Sequence, residues 1–218
     1  TPVFAYLVAF LGSLLGVLCV SRARVAERSS RTQWLIAASV ALGGTGVWTA
    51  HFIAMLGFDA SGLAVRYNVW FTLLSVCVAL PAVGIGVFLA FQRGARPGLP
   101  LAAGTLAGLG MTGMHYLSVA SINLPAQVAH NRLSIWVTLF FAVAAATTAF
   151  WLMVRVHGRL LSCGAALVMG VGFWLLPHLL ILGMSAGPDG TPVPPGATKV
   201  ELLIPTLGIA GLVTLGIL

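Results

Sequence analysis

Seven apolar runs divide this chain and leave little room for any other kind of structure. They cover about 3–20, 34–57, 70–91, 99–121, 133–154, 160–184 and 202–218. Apolar runs of roughly 17 residues or more can each cross a bilayer as an α-helix. The chain is 59% hydrophobic and only 7% charged, with a mean hydropathy of +1.04. No soluble globular domain needs so little charge, so the solvent is lipid. The first run lacks a basic start and a small-residue cleavage site, which excludes a signal peptide.

The formal net charge is +7. Its distribution points to membrane topology and away from nucleic acid. Arg22, Arg24, Arg28 and Arg31 follow the first run, Arg93 and Arg96 the third, and Arg155 and Arg159 the fifth. The other connections hold only Arg66, Arg132 and Lys199. Positive residues favour the cytoplasmic side. The chain therefore reads as an all-α membrane protein with seven transmembrane helices, N-terminus outside and C-terminus inside. The first basic loop can touch anionic lipid.

The runs pair off. Gly46 aligns with Gly110 and His51 with His115, while Asn68 and Asn131 precede the third and fifth runs as candidate helix caps. Three helical pairs of one orientation result, about 1–58, 66–125 and 130–186, with a seventh helix about 201–218. All of 1–218 reads as one membrane domain. Its ends, Thr1 and an apolar run that stops at Leu218, read as those of a trimmed product or a piece of something longer. Gly12-xxx-Gly16 and Gly104-xxx-Gly108 are small faces that serve packing within the bundle or a homodimer equally well. The stretch from Ala186 to Lys199 reads as an irregular cap or a plain connector.

Three histidines lie near the ends of the second, fourth and sixth runs. They are His51, His115 and His178, placed by this topology at one depth in the outer leaflet. Residues four apart share a helix face, so His51 points with Met55 and His115 with Met111, Met114 lying to one side. Imidazole and thioether suit copper, above all Cu(I), and fit calcium or magnesium poorly. A single buried His is more often a packing residue bonded to a carbonyl; two aligned His–Met pairs favour a ligand site. Facing histidines on neighbouring helices can also ligate haem. His130 and His157 read as solvated or capping residues. Trp48 and Trp174 read as packing beneath the site. Cys19, Cys77 and Cys163 read as packing residues on separate runs.

Absences narrow the function. Asp59, Asp189, Glu27 and Glu201 are the only acids, all in or beside loops. Without an intramembrane carboxylate an ion-coupled transporter is disfavoured. The only lysine, Lys199, is not inside the bundle, which disfavours a retinal Schiff base. One His/Met layer, with no chain of Met across the bilayer, argues against a copper conduit. No nucleophile–base pair or nucleotide fingerprint is present, so the chain reads as a non-enzyme.

Met114-His115-Tyr116, after Gly108-Leu-Gly110, resembles the signature of the MHYT family of bacterial membrane sensor domains. Gly-x-Gly-Val-Trp-x-x-His-Phe-Ile-x-Met at 44–55 resembles its first-repeat form. The resemblance implies residence in the bacterial inner membrane and a metal, proposed to be copper, held near the outer face by motif His and Met. The positions carried over are His51, Met55, Met114 and His115, with His178 and Met184 from the third repeat. It implies sensing of a diatomic gas (O2, CO or NO) or redox state, and a cytoplasmic output protein or domain absent from this chain. Rival readings are a haem-binding or respiratory-complex-associated protein, and a structural bundle with a vestigial site. The chain departs from the pattern at Ala50, Leu117 and Val119. In the third repeat Pro177, not His178, occupies the motif position, a slip of one residue or about 100° of helix rotation.

Overall fold

The structure is a computed structural model that describes residues 2–57, 65–91, 98–123, 126–130, 132–182, 184–188 and 195–217. Asp59, Arg93, Arg96, Asn131 and Asp189 lie outside them. Seven helical segments follow one another: α1 Pro2–Val25; α2, which runs from Arg28 to Leu56 in three continuous parts; α3 Val69–Ala90; α4 Leu99–Ala120; α5 Arg132–Arg155; α6 Arg159–Leu182; and α7 Lys199–Ile217. Six are long and apolar enough to cross a membrane. The exception is α4, long enough but diluted by glycines, Thr112, His115 and Tyr116.

Local chemistry sets several boundaries. Asn68 caps α3, its side-chain oxygen accepting from the Trp70 and Phe71 amides at 3.0 and 3.4 Å. Thr198 and Glu201 form a reciprocal capping box at the start of α7: the Glu201 carboxylate accepts from the Thr198 amide at 2.7 Å and the Glu201 amide donates to the Thr198 hydroxyl at 3.3 Å. The middle of α2, Val40–Thr49, is wound as a wider π-helix containing Gly43, Gly44 and Gly46. Such widenings are rare and concentrate near functional sites. The α-helical turn resumes at Ala50, one residue before His51.

The small residues are consumed inside the bundle. A Cβ at Gly12 would strike the Gly46 backbone, so α1 and α2 touch backbone to backbone. A Cβ at Gly108 would stand 2.7 Å from the Val143 amide nitrogen, so α4 and α5 meet as closely. Among the described residues these glycines serve contacts within the chain. Helix α7 packs least, and an apolar cavity of about 420 Å³ lies between it, α2 and α3.

At one end of the bundle the helices are joined by short strands, an addition to the all-α expectation. Strand β1, Arg66–Tyr67, pairs antiparallel with β2, Ile122–Asn123; β3, Ala126–His130, pairs antiparallel with β4, Met184–Pro188. Tyr67 also bridges Ala197 through two backbone hydrogen bonds of 2.9 Å. Two expectations are corrected here. The sixth apolar run does not stay helical to residue 184, because α6 ends at Leu182 and Met184 opens a strand. The segment from Ala186 is not irregular at its start, because Ala186, Gly187 and Pro188 pair with Val128, Gln127 and Ala126. His130 is likewise in a strand, whereas His157 is exposed beyond α5 with Nδ1 2.8 Å from the Arg155 carbonyl.

At the opposite end, arginines finish the helices. Arg24 donates to the carbonyls of Val154 and Val156 at 2.8 and 3.0 Å and to that of Met153. Arg31 donates to the Phe91 carbonyl at the end of α3, and Arg24 lies over the Phe91 ring. Free carbonyls at helix C-termini favour cations. These residues thus do more than fix topology: they tie the ends of α1, α2, α3 and α5 together.

Candidate functional site

The α-helical turn after the π segment carries His51, and α4 carries His115. Both imidazoles are fully buried, and His115 Nδ1 lies 3.4 Å from His51 Nε2. Their rings meet edge to face, with centroids 5.1 Å apart at 88°. The separation exceeds the usual 2.7–3.2 Å of a nitrogen donor bond, so this is a loose contact between facing lone-pair or N–H positions. His51 Nδ1 is buried without a hydrogen-bond partner among the described residues. A buried polar atom left in that state is uncommon.

The thioethers expected beside the histidines are also buried. Met55, one turn beyond His51, belongs to a small cluster with Phe52, Leu56, Tyr67, Val119 and Ile122. Met111 and Met114 belong to the main core. Val119, one turn beyond His115, thus lies in one cluster with Met55. Trp48 stacks on Phe52 at 5.2 Å and donates to Ser75 at 2.8 Å, the packing role expected of it.

The third repeat behaves differently. Pro177 is fully buried, while His178 is half-buried. His178 Nδ1 is 2.7 Å from the Trp174 carbonyl and the two rings lie 4.5 Å apart, which assigns Nδ1 as the protonated nitrogen and leaves Nε2 as an acceptor. The Met184 side chain lies outside the described residues; its backbone pairs with that of His130. The structure therefore brings His51 and His115 into contact, buries Met55 and Met114 in two separate clusters, and sets His178 on Trp174.

Tyr67 is a residue that sequence reasoning missed. It is 1% exposed, packs on Phe52 with ring centroids 6.2 Å apart, and its hydroxyl meets no hydrogen-bond partner among the described residues. Burial pushes its phenol up to about 12. Only its position directly before the Asn68 cap could have drawn attention to it.

Cys19 is buried and Cys77 and Cys163 are exposed; all three are free thiols. Among the described residues no group of three or more His, Cys, Asp or Glu side chains gathers.

The family model described as the bacterial signalling protein N-terminal repeat, MHYT, matches residues 44–103 and 108–166. The two matches begin 64 residues apart, the separation of His51 and His115. The chain is 29% identical over 218 residues to the bifunctional diguanylate cyclase/cyclic di-GMP phosphodiesterase MucR of Pseudomonas aeruginosa, covering 94% of this chain and 31% of that protein. It is 32% identical over 160 residues to the cyclic di-GMP phosphodiesterase NbdA of the same organism, covering 71% of this chain and 19% of that protein. An uncharacterized signaling protein of Caulobacter vibrioides is 30% identical over 153 residues, covering 69% and 18%. The chain spans about a third or less of these curated relatives. No solved structure matches. The matched repeats and the long apolar helices together place this chain in the MHYT family, as a multi-pass membrane sensor domain of the bacterial inner membrane.

Proposed function

We propose that this domain is a copper-dependent sensor whose His51–His115 centre binds a small diatomic gas or changes redox state, and passes the result to a cytoplasmic output domain. The observation that carries this reading is the approach of two buried imidazoles, from matching repeat positions, to 3.4 Å. Two nitrogens each about 2.0–2.1 Å from one first-row ion, as in zinc sites, stand about 3.3–3.4 Å apart at a tetrahedral angle. The His51 Nδ1, without a hydrogen-bond partner among the described residues, is a further group that a ligand or ordered water would satisfy. Met55 and Met114 supply thioethers, and two imidazoles with soft sulfur and no carboxylate select Cu(I) over harder ions. His178 and Met184 are outer candidates. Copper, when bound, would supply an open position for an electron-rich diatomic ligand; the chain orients the two imidazoles and excludes water.

In this reading the strand end of the bundle faces outward and the arginine end inward, with the N-terminus outside and the C-terminus inside. That agrees with the distribution of Arg and Lys. The relatives named as a diguanylate cyclase or phosphodiesterase suggest cyclic di-GMP turnover as the output, carried by parts beyond this chain. The domain itself acts without catalysis.

Haem is the less favoured occupant. Two axial imidazoles stand on opposite faces of a haem, whereas these two rings meet edge to face with nitrogens 3.4 Å apart and nothing between them among the described residues. The test is elemental analysis with an absorption spectrum on protein purified in mild detergent. Near-stoichiometric copper that disappears in the His51→Ala, His115→Ala double variant supports the centre. A Soret band would move the assignment to haem. Absence of both after copper reconstitution would make the histidines packing residues.

A further inference from the structure

We propose that Tyr67 is the hydrogen-bond donor that the His51–His115 centre presents to a small bound ligand carrying an acceptor atom. The inference rests on the reading of that centre as a ligand site and adds a residue outside the MHYT signature.

Tyr67 belongs to the layer one helical turn beyond the histidine pair. Met55 follows His51 by four residues, Val119 follows His115 by four, and both pack in one buried cluster with Tyr67. The hydroxyl is thus enclosed by apolar neighbours, and it has no hydrogen-bond partner among the described residues. Buried tyrosines normally find one. A ligand with an acceptor atom held at the centre would supply it.

The backbone holds this phenol in place from three sides. Tyr67 pairs with Ile122 in the β1–β2 ladder and exchanges two hydrogen bonds with Ala197. Asn68, directly after it, caps α3. Gly196 makes the close approach of the Ala197 bridge achievable: its φ is +149°, and a Cβ there would stand 2.9 Å from the Tyr67 carbonyl oxygen. This backbone pairing limits where the phenol can reach, the preorganisation that a donor to a bound ligand needs.

The experiment compares the full chain with Tyr67→Phe, both loaded with Cu(I) in detergent and exposed to carbon monoxide. Copper content should be equal. The infrared C–O stretch of the bound gas should shift, and CO affinity should fall about fivefold to tenfold, the worth of one hydrogen bond. In the copper-free protein Tyr67→Phe should melt no lower than the parent, because the hydroxyl has no partner to lose among the described residues. Equal copper with an unshifted stretch overturns the role of Tyr67 and leaves the centre intact. A marked drop in the copper-free melting temperature also overturns it, by revealing a structural partner. Failure of the parent chain to hold copper overturns the centre and this inference together.

Discussion

The segments that lead to His115 and to His178 start from similar glycine-spaced sequence and reach different ends. In the second, Gly108-Leu-Gly110 leads to His115, fully buried and 3.4 Å from His51. In the third, Gly170-Val-Gly172 leads to Pro177, fully buried, and its neighbour His178 is turned onto Trp174. The buried position is kept and the chemistry in it is exchanged. A single residue of slip on a helix moves a side chain by about 100°, enough to take an imidazole from the axis of the bundle to its flank. A segment can therefore preserve its packing while its imidazole is displaced.

The sharpest way to break this contrast is to remove each imidazole in turn. His115→Ala should reduce copper content to about a tenth or less, since the loss of a ligand is the loss of most of a site. His178→Ala should leave most of it. Metal analysis of the two purified variants decides; equal losses would mean that the third repeat contributes as a full member.

The packing beneath the two repeats differs in the same direction. A Cβ at Gly110 would overlap the Ala82 side chain, whereas one at the equivalent Gly172 meets the Ala145 side chain at 3.3 Å. Gly110→Ala should destabilise by about 1–3 kcal/mol through overpacking. Gly172→Ala should change stability by less than about 1 kcal/mol, the helix propensity gained offsetting a mild contact. Thermal unfolding in detergent measures both. Similar values would show that α4 and α6 pack alike.

Restoring the missing ligand tests the contrast from the other side. Pro177→His should place an imidazole at the buried position of the third repeat and tighten copper about tenfold, close to 1.4 kcal/mol. Competition with a Cu(I) chelator reads this directly, and an unchanged affinity would mean that the third position does not reach the centre. The smallest effects belong to the caps that border the strand end. Asn68→Ala should cost about 1 kcal/mol. Thr198→Ala should cost about 0.5–1 kcal/mol, the capping box at α7 being exposed. A larger loss at Thr198 than at Asn68 would show that α7 depends on its cap more than its sparse packing indicates.

Much of this was legible in the residues. The apolar runs anticipated the helices to within a few residues at most ends, because length and hydropathy suffice to identify a segment stable in lipid. The pairing of His51 with His115 was legible because a repeat places equivalent residues at equivalent depths. The Asn68 cap announced itself by type and position. The strands did not, because two to five residues carry too little periodicity to separate from a loop. Tyr67 was invisible for a related reason: its burial depends on Ala197 and Ile122, both distant in sequence. Arg24 was read as a topology anchor because the carbonyls it finishes lie some 130 residues away. The π segment escaped because i→i+5 winding has no sequence pattern of its own.

The contact between Gly12 and Gly46 has a consequence for genetics. Gly12 sits on α1, which supplies no candidate ligand, yet any side chain there pushes on the stretch of α2 that ends just before His51. A screen for cells deaf to the signal would recover alleles at Gly12 beside those at the histidines. The two classes would share a phenotype and part only on biochemical inspection: one has lost an imidazole, the other the alignment that brings two intact imidazoles together.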